Sequence, residues 1–366
     1  MTEIRLFFAG DFCSTPSTSK ITVSDELKGI IQSCDLKVVN FEVPLKPEVK
    51  LSKQRRKRFF QHDDAPSFLC NLGFNLFSQA NNHSFDWGDE GYKKTKAAFG
   101  EAAFGAGTYE EAYKIKVVEV QGKKIGFLAL SFAAYKGVFD DVTCHEGLGC
   151  AYINDLRVNH DIMAAKKKVD YLFVLPHDGI EYIDIPTPET ITRYRDFIDY
   201  GADGVIATHP HCPQGWEEYK CKPIFYSLGN FLFNSMGGYD YRATNRPHWY
   251  EGLCVLMKID NGQLSWETIN TRNVDNIGIE IDYAEDRDKH NEQICRYLIN
   301  AEEYYRYYQR ANKELGLSKE IKVIEKSIIK YWLDRIFGKD YTVDNELKNL
   351  LKQDQRRNLL LHALKF

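Results

Sequence analysis

The stretch Phe77–Gly91, FSQANNHSFDWGDEG, joins a short apolar segment to a polar loop and then to a helical pattern. The apolar segment that ends at Phe77 is typical of a buried strand. Asp89 is expected to cap a helix that runs to about residue 98. Asn82 and His83 therefore lie on a loop at the carboxyl end of a strand, where open α/β sheets bind their ligands.

Two further loops carry histidines directly after predicted strands, one with His177 and one with His209-Pro210-His211. An extended H-x-H segment points both imidazoles to the same side of its strand. Two carboxylates, Asp11 and Glu42, follow strands nearer the N-terminus. Because a metal-dependent hydrolase needs several nitrogen and oxygen ligands on rigid strand ends, we expect these loops to form one metal-centred site.

The composition and net charge of the chain limit which class of protein it belongs to and which kinds of partner it binds. The chain has 366 residues, of which 43% are hydrophobic and 13% aromatic, as expected for a globular protein. The net charge of −4 gives no overall case for binding nucleic acid. Because the chain is negatively charged overall, binding of an anionic substrate would require a local group of basic residues or a metal ion. The basic run 50–58, KLSKQRRKR, is either a clamp for such a substrate or a solvated surface segment.

The N-terminal sequence and the cysteines indicate in which cellular compartment the protein is expected. The apolar stretch after Met1 is short and lacks a cleavage site, so we expect a first strand and no signal peptide. No run approaches the roughly 18 apolar residues of a membrane span. The nine cysteines are scattered and include no C-x-x-C pair, which argues against a thiolate zinc site. We therefore expect a cytoplasmic protein with free thiols.

The order of the predicted elements suggests two regions. The first strand, Glu3–Ala9, is expected to end at Gly10-Asp11. From Trp216 to about Thr271 the alternating pattern predicts a second, antiparallel sheet. Apolar residues then recur at helical spacing toward the C-terminus. We therefore predict a main domain over residues 1–282 and a helical region over residues 283–366.

Seven motifs occur in an order that matches a known family. They are Gly10-Asp11, Asn40-Phe41-Glu42, ANNHSFDWG (80–88), PHDGIEY (176–182), Gly201-Ala202-Asp203, HPHCPQG (209–215) and YSLGNF (226–231). Through them, over about residues 3–260, the chain resembles the CapA-type (PGA_cap) capsule-synthesis proteins. That family is tied to poly-γ-glutamate capsule synthesis and belongs to the calcineurin-like metallophosphoesterase superfamily.

The resemblance implies a fold and a ligand set. The fold is a four-layer α/β/β/α metallophosphoesterase-like sandwich, to which this chain adds a C-terminal helical appendage. Asp11 and His211 would hold one metal. A second metal would be held by a further set of ligands, namely Asn82, His177 and His209. Glu42 falls where the superfamily has its bridging aspartate, and His83 would be the general acid that protonates the leaving oxygen.

This sequence departs from the superfamily pattern at two ligand positions. Cys13 stands where the superfamily has a histidine, and Glu42 is longer than the usual aspartate. The expected cofactor is therefore one or two divalent ions, of Mn, Zn or Fe. Asp86 and Glu181 are expected to orient ligand histidines or to cap their loops. Asn230 lines the site or makes a turn.

Three functions remain open at this point. The first is a metal-dependent hydrolase of the phosphoesterase type, in which metal-activated water attacks a small-molecule or polymeric anionic substrate. The second is a non-catalytic accessory protein that binds polyanionic polymer in capsule assembly. The third is an amidase or peptidase acting on γ-glutamyl material. His83 favours an enzyme and Cys13 favours the accessory role. We expect no nucleic-acid partner and no membrane span, and the oligomeric state stays open.

Overall fold

The computed structural model describes residues 3–48, 59–133, 137–140, 146–234, 246–315 and 330. The basic run 50–58 lies outside the described residues, and so does the helical pattern after residue 315, apart from residue 330. The fold below rests on the described ranges.

The strands alternate with helices over the first part of the chain and then follow one another directly. They are β1 (Ile4–Cys13), β2 (Thr22–Val23), β3 (Leu36–Phe41), β4 (Leu76–Ser78), β5 (Ala103–Phe104), β6 (Ala106–Gly107), β7 (Lys116–Val120), β8 (Lys123–Ser131), β9 (Gly149–Cys150), β10 (Tyr171–His177), β11 (Gly204–Ile206), β12 (Trp216–Tyr219), β13 (Lys222–Phe225), β14 (Asn230–Phe233), β15 (Glu251–Asp260), β16 (Gln263–Val274) and β17 (Gly278–Ile281). The α-helices are α1 (Asp25–Gln32), α2 (Ala65–Leu72), α3 (Gly88–Phe99), α4 (Tyr109–Ala112), α5 (Arg157–Lys166), α6 (Pro188–Asp199), α7 (Glu285–Ile299) and α8 (Ala301–Leu315).

The larger sheet has the strand order β2-β17-β16-β15-β1-β3-β4-β5, with β14 also paired to β1. Strands β1, β3, β4 and β5 run parallel, so their carboxyl ends meet at one edge. The smaller sheet has the order β12-β13-β11-β10-β8-β7, and its strands β8, β10, β11 and β13 are parallel. In each sheet, the carboxyl ends of the parallel strands therefore lie along the same edge.

The first strand is longer than the sequence indicated. It was expected to end at Gly10-Asp11, but β1 continues to Cys13, with a pairing irregularity at Gly10. Beyond that point β1 pairs with β14, and the Asp11 backbone N–H donates to the Gly229 carbonyl at 2.9 Å. A Cβ atom on Gly10 would lie 2.0 Å from the Gly229 carbonyl oxygen, so this close approach requires glycine.

The strands after Trp216 do not form a separate sheet, and that expectation was wrong. Strand β15 pairs antiparallel with β1, so β15, β16 and β17 extend the larger sheet. Strands β12 and β13 instead complete the smaller sheet through β11. The alternating pattern identified the strands, but it carries no information about which sheet each strand joins.

Four layers result from the packing of the two sheets. The faces that meet contribute aromatic residues such as Phe8, Phe127 and Phe173, whose ring centroids lie 5.6–6.3 Å apart. Each fully buried phenylalanine stabilises this interface by about 2 kcal/mol. Helices α1, α2 and α3 cover the outer face of the larger sheet, and α5 and α6 cover the smaller sheet. The expected four-layer α/β/β/α sandwich is confirmed.

Helix α3 begins one residue before the expected cap. Its first residue is Gly88 and the cap position is Trp87, whereas Asp89 lies in the first turn. An acidic side chain there interacts favourably with the positive end of the helix dipole.

The described C-terminal helices pack onto the helical layer of the smaller sheet. Leu298, Tyr304 and Tyr308 are buried in that cluster, and the Tyr304 hydroxyl donates to the Pro186 carbonyl at 2.7 Å. Among the described helices, none combines the length and apolar composition that a membrane crossing requires. The division of the chain at residue 282 stays a prediction.

Candidate metal centre

The six predicted metal ligands meet where the parallel carboxyl ends of the two sheets face each other. Asp11 belongs to the end of β1, Glu42 directly follows β3, and Asn82 lies on the loop after β4. From the smaller sheet, His177 ends β10, and His209 and His211 lie on the loop after β11. All six side chains are buried. The fold thus brings together residues from both sheets in one cluster.

Two carboxylates form the centre of this cluster. Asp11 Oδ1 lies 3.7 Å from His177 Nδ1, and Asp11 Oδ2 lies 3.7 Å from His211 Nδ1. Glu42 Oε2 lies 4.0 Å from His177 Nε2, and Glu42 Oε1 lies 3.8 Å from His211 Nε2. Asp11, Glu42 and His177 each offer a ligand atom within 4.8 Å of the others. The spacing suits atoms that share one cation.

Asn82 and His209 complete the cluster around His177. Asn82 Oδ1 lies 2.9 Å from His177 Nε2, and His209 Nδ1 lies 3.1 Å from the same nitrogen. Three polar atoms therefore converge on one point in a buried region, where each polar atom needs a partner.

The backbone of the H-x-H segment is not extended, which corrects the sequence argument for it. His209 has φ +107° and His211 has φ +57°, so both lie in the left-handed region that L-residues rarely adopt. The His209 N–H donates to Asp11 Oδ2 at 3.0 Å, which helps to hold this conformation. The two imidazoles, with centroids 6.0 Å apart, both reach the cluster through this local turn. Such strain is concentrated at functional sites.

Glu42 provides the test of whether a cation fits these residues. Both of its carboxylate oxygens are buried, and neither has a hydrogen-bond partner among the described residues. A buried carboxylate without a partner is strongly unfavourable unless a cation compensates it. The surrounding donor set of imidazoles, carboxylates and an amide oxygen suits Mn, Zn or Fe. The residues present therefore fit a divalent transition-metal ion.

The pKa shifts follow from burial and from the neighbouring charges. Burial, reinforced by the charges of Asp11, Glu181 and Asp86, raises the pKa of Glu42 well above its ordinary value. Burial also raises the pKa of Asp11, against the opposing effect of His211. Burial and the adjacent imidazoles hold the pKa of His177 well below its ordinary value. His177 is therefore neutral at physiological pH, as a metal ligand must be.

His83 lies at the rim of the cluster, oriented by Asp86. Its Nδ1 is 2.9 Å from Asp86 Oδ2, and its Nε2 faces Glu42 Oε1 at 4.0 Å. Asp86 also accepts from the Phe59 backbone N–H at 3.3 Å, so its carboxylate contacts both the His83 ring and a neighbouring loop. Glu181 is half-buried and close enough to influence the pKa values of Glu42 and His211.

Several residues that contact the ligands were not singled out from the sequence. The Asn40 side-chain amide donates to Asp11 Oδ1 at 2.7 Å, and Thr208 Oγ1 lies 3.1 Å from His177 Nδ1. Asn230, which the sequence left open, lines the site, because its Oδ1 is 2.9 Å from His211 Nδ1. Alternation along β3 offered a signal for Asn40, since residues two apart share a strand face with Glu42.

An aromatic wall flanks His211 on one side of the centre. The rings of Phe233 and Trp249 lie 4.8 Å from the imidazole, and that of Tyr182 lies 6.1 Å away. The Arg246 guanidinium stacks on the Tyr182 ring at 4.4 Å. No local sequence signal marks Arg246 or Trp249, because their position depends on the tertiary fold.

Comparison with known proteins places this arrangement in a family. Residues 6–235, more than half of the chain, match the model of the bacterial capsule synthesis protein family PGA_cap. The matched range contains all six predicted metal ligands, together with His83 and Asn230.

Two curated relatives cover comparable parts of the chain. The capsule biosynthesis protein CapA of Bacillus anthracis is 32% identical over 206 residues, which are 53% of this chain and 49% of the relative. The PGA biosynthesis protein CapA of Bacillus subtilis (strain 168) is 28% identical over 246 residues, which are 62% of each. The aligned regions thus span only about half to three-fifths of these relatives.

A solved phosphatase structure from Mycoplasma pneumoniae aligns with 74% of this chain and 94% of its own, at 15% identity and a TM-score of 0.43. That degree of likeness carries no information about the activity of this chain. The family match is the decisive comparison, because it covers more than half of the sequence. The chain therefore belongs to the bacterial capsule synthesis protein PGA_cap family.

Proposed function

We propose that this chain is a metal-dependent hydrolase of phosphoester-type, anionic substrates, acting in capsule or poly-γ-glutamate biosynthesis. The observation that carries the proposal is the position of His83. Its Nδ1 is held by Asp86, and its Nε2 faces the rim of a metal-type ligand set. A binding protein has no need of an oriented proton donor beside such ligands, whereas a hydrolase does.

The metal would be held by the six clustered residues of the centre. In our proposal they are Asp11, Glu42, Asn82, His177, His209 and His211. When bound there, one or two divalent cations supply Lewis-acid chemistry, which polarises the scissile group and makes water acidic enough to attack at neutral pH. Asn230, Asn40 and Thr208 hold ligand side chains in place through the contacts described above.

His83 supplies the proton for the leaving group. As a water oxygen forms its bond to phosphorus and releases a proton to solvent, the bond from phosphorus to the leaving oxygen breaks, and that oxygen takes a proton from His83 Nε2. His83 then regains a proton from solvent. The Asp86 carboxylate, 2.9 Å from His83 Nδ1, fixes the orientation of the ring so that Nε2 faces the centre.

Arg246 is expected to bind the anionic part of the substrate. Its guanidinium lies over Tyr182 and Trp249, whose rings flank His211. Arg246→Ala should raise KM for a phosphoester about tenfold or more and change kcat less, since a charge-assisted contact is worth roughly 1.5–3 kcal/mol. Steady-state kinetics check this, with Arg272→Ala, at an exposed position of β16, as control. An unchanged KM would remove Arg246 from the substrate site.

The proposed function is tested by metal analysis combined with turnover. Protein purified without chelator should contain one or two ions per chain and should hydrolyse a chromogenic phosphoester when Mn, Zn or Fe is added. Chelation should abolish the turnover and metal should restore it. Bound metal without hydrolysis of phosphoesters would contradict the proposal. Cleavage of γ-glutamyl amides instead would assign the site to amide substrates.

The compartment remains a prediction from the sequence. A cytoplasmic protein would act on soluble precursors or on polymer before export. Fractionation of cells that express the full-length protein checks this point.

A further inference from the structure

A second group of metal-type ligands adjoins the aromatic wall along the chain, and we call it the α7 cluster. It consists of Asp184 on the loop after β10, His248 just before β15, and His290 on α7. Each residue offers a ligand atom within 4.8 Å of those of the other two. The cluster shares no residue with the metal centre, and it joins three parts of the chain that are distant in sequence.

The two imidazoles converge on one carboxylate oxygen. His290 Nε2 lies 3.1 Å from Asp184 Oδ2, and His248 Nε2 lies 3.9 Å from the same oxygen. The rings are nearly parallel, with centroids 4.7 Å apart and an interplanar angle of 16°. The buried His290 Nε2 thus faces the Asp184 carboxylate at ion-pair distance. Two imidazole nitrogens and one carboxylate oxygen that meet at one point are the ligand arrangement of a divalent-cation site.

The outer contacts of the cluster resemble those that orient metal ligands. His248 Nδ1 lies 2.8 Å from Glu251 Oε2, which directs its Nε2 toward Asp184. The Tyr307 hydroxyl donates to Asp184 Oδ2 at 2.6 Å. A carboxylate on the distal nitrogen of a ligand histidine and a hydrogen bond to a ligand carboxylate are the usual supports of a protein metal site.

The donor set of the cluster suits a cation. Glu251 pairs with Arg287 and supports His248 at its Nδ1, and Asp184 is the carboxylate that faces the Nε2 atoms of both imidazoles. Imidazole with carboxylate is a donor set that suits zinc-type ions.

We propose that Asp184, His248 and His290 form a second divalent-cation site, of zinc type, that fastens helix α7 to the main sheets. Two of these residues adjoin the aromatic wall in sequence, since Tyr182 lies two residues before Asp184 and Trp249 directly follows His248. A cation there connects the first C-terminal helix to the loops that form one side of the metal centre. The proposal does not depend on the hydrolase assignment.

The experiment compares metal binding by full-length wild type, His290→Gln and His160→Gln. His160 is an exposed histidine on α5 and serves as the matched control. Chelator-treated proteins are titrated with Zn²⁺ alone at about pH 8, where imidazoles are neutral. The readouts are the number of ions bound and the zinc-induced rise in Tm, neither of which requires turnover.

We expect His290→Gln to bind one ion fewer per chain than wild type and to lose part of the zinc-induced rise in Tm. The lost part should be roughly 3–6 °C at a hundredfold excess of zinc over Kd. His160→Gln should behave as wild type. His248→Gln should repeat the loss, and it replaces His290→Gln if that variant does not fold. Wild-type stoichiometry and an unchanged zinc response in both variants would overturn the proposal and leave a hydrogen-bonded charge cluster.

Discussion

Glu42→Gln is expected to remove bound metal and turnover together, while the metal-free protein becomes more stable. In wild type both carboxylate oxygens of Glu42 are buried and have no hydrogen-bond partner among the described residues. The anion is tolerated in our proposal because a cation compensates it. A neutral amide of the same shape removes that charge, so metal affinity should fall by more than about a hundredfold.

Although its metal affinity falls, the Glu42→Gln protein should be more stable than wild type when both are free of metal. Removing an uncompensated buried charge should raise the free energy of unfolding by about 1–3 kcal/mol at neutral pH. Because the folded-state pKa of Glu42 is raised, its contribution to stability is fully present below the unfolded pKa and is lost as pH rises through the folded pKa. The difference in free energy of unfolding between metal-free Glu42→Gln and metal-free wild type should therefore grow from about pH 4 upward.

Three measurements check this expectation. They are metal content after dialysis, phosphoester turnover, and urea unfolding in chelator at several pH values. Glu218→Gln, on exposed β12, is the control for loss of a negative charge. A Glu42→Gln protein that retains wild-type metal would exclude Glu42 as a ligand. A less stable metal-free variant would mean that the carboxylate is compensated in another way.

His83→Gln is expected to lower turnover while leaving metal content unchanged. A positioned general acid contributes about 10²–10⁴-fold to the rate. The loss should be large for an alkyl phosphoester, whose leaving oxygen needs a proton. It should be small for a nitrophenyl ester, whose leaving group departs as a stable anion. This dependence on the leaving group separates proton donation from a general structural effect.

Asp86→Asn tests the orientation of the same ring. The amide keeps the size of the side chain but removes the charge 2.9 Å from His83 Nδ1. Turnover of the alkyl ester should fall by about 10–100-fold, less than for His83→Gln. Loss of metal in His83→Gln, or an equal loss of rate for both esters, would contradict the role of His83 as the acid.

Much of the candidate site is visible in local sequence. Strands β3 and β4 of the larger sheet and β10 of the smaller sheet each end beside a polar residue, and the parallel strands of each sheet bring their carboxyl ends to one edge. Glu42, Asn82 and His177 could therefore be selected without a structure. The alternation of side chains along β3 could also have identified Asn40, because Asn40 shares a strand face with Glu42.

Other features depend on contacts that no local pattern contains. The left-handed backbone of His209 and His211 is held by the Asp11 carboxylate and by the surrounding sheets, whereas their spacing alone indicated an extended strand. The continuation of β1 past Gly10 depends on the Gly229 carbonyl, which comes from a segment more than two hundred residues later.

The sequence by itself determined the strands, their polar ends and the family to which the chain belongs, because hydrophobic periodicity and short motifs are local properties. Only the tertiary structure decided how the two sheets divide the strands after Trp216. It alone placed Trp249 beside His211 and Arg246 over the Tyr182 ring, and it alone assembled the α7 cluster. These contacts join residues far apart in the chain, and they form only when burial of both sheet faces brings the segments together.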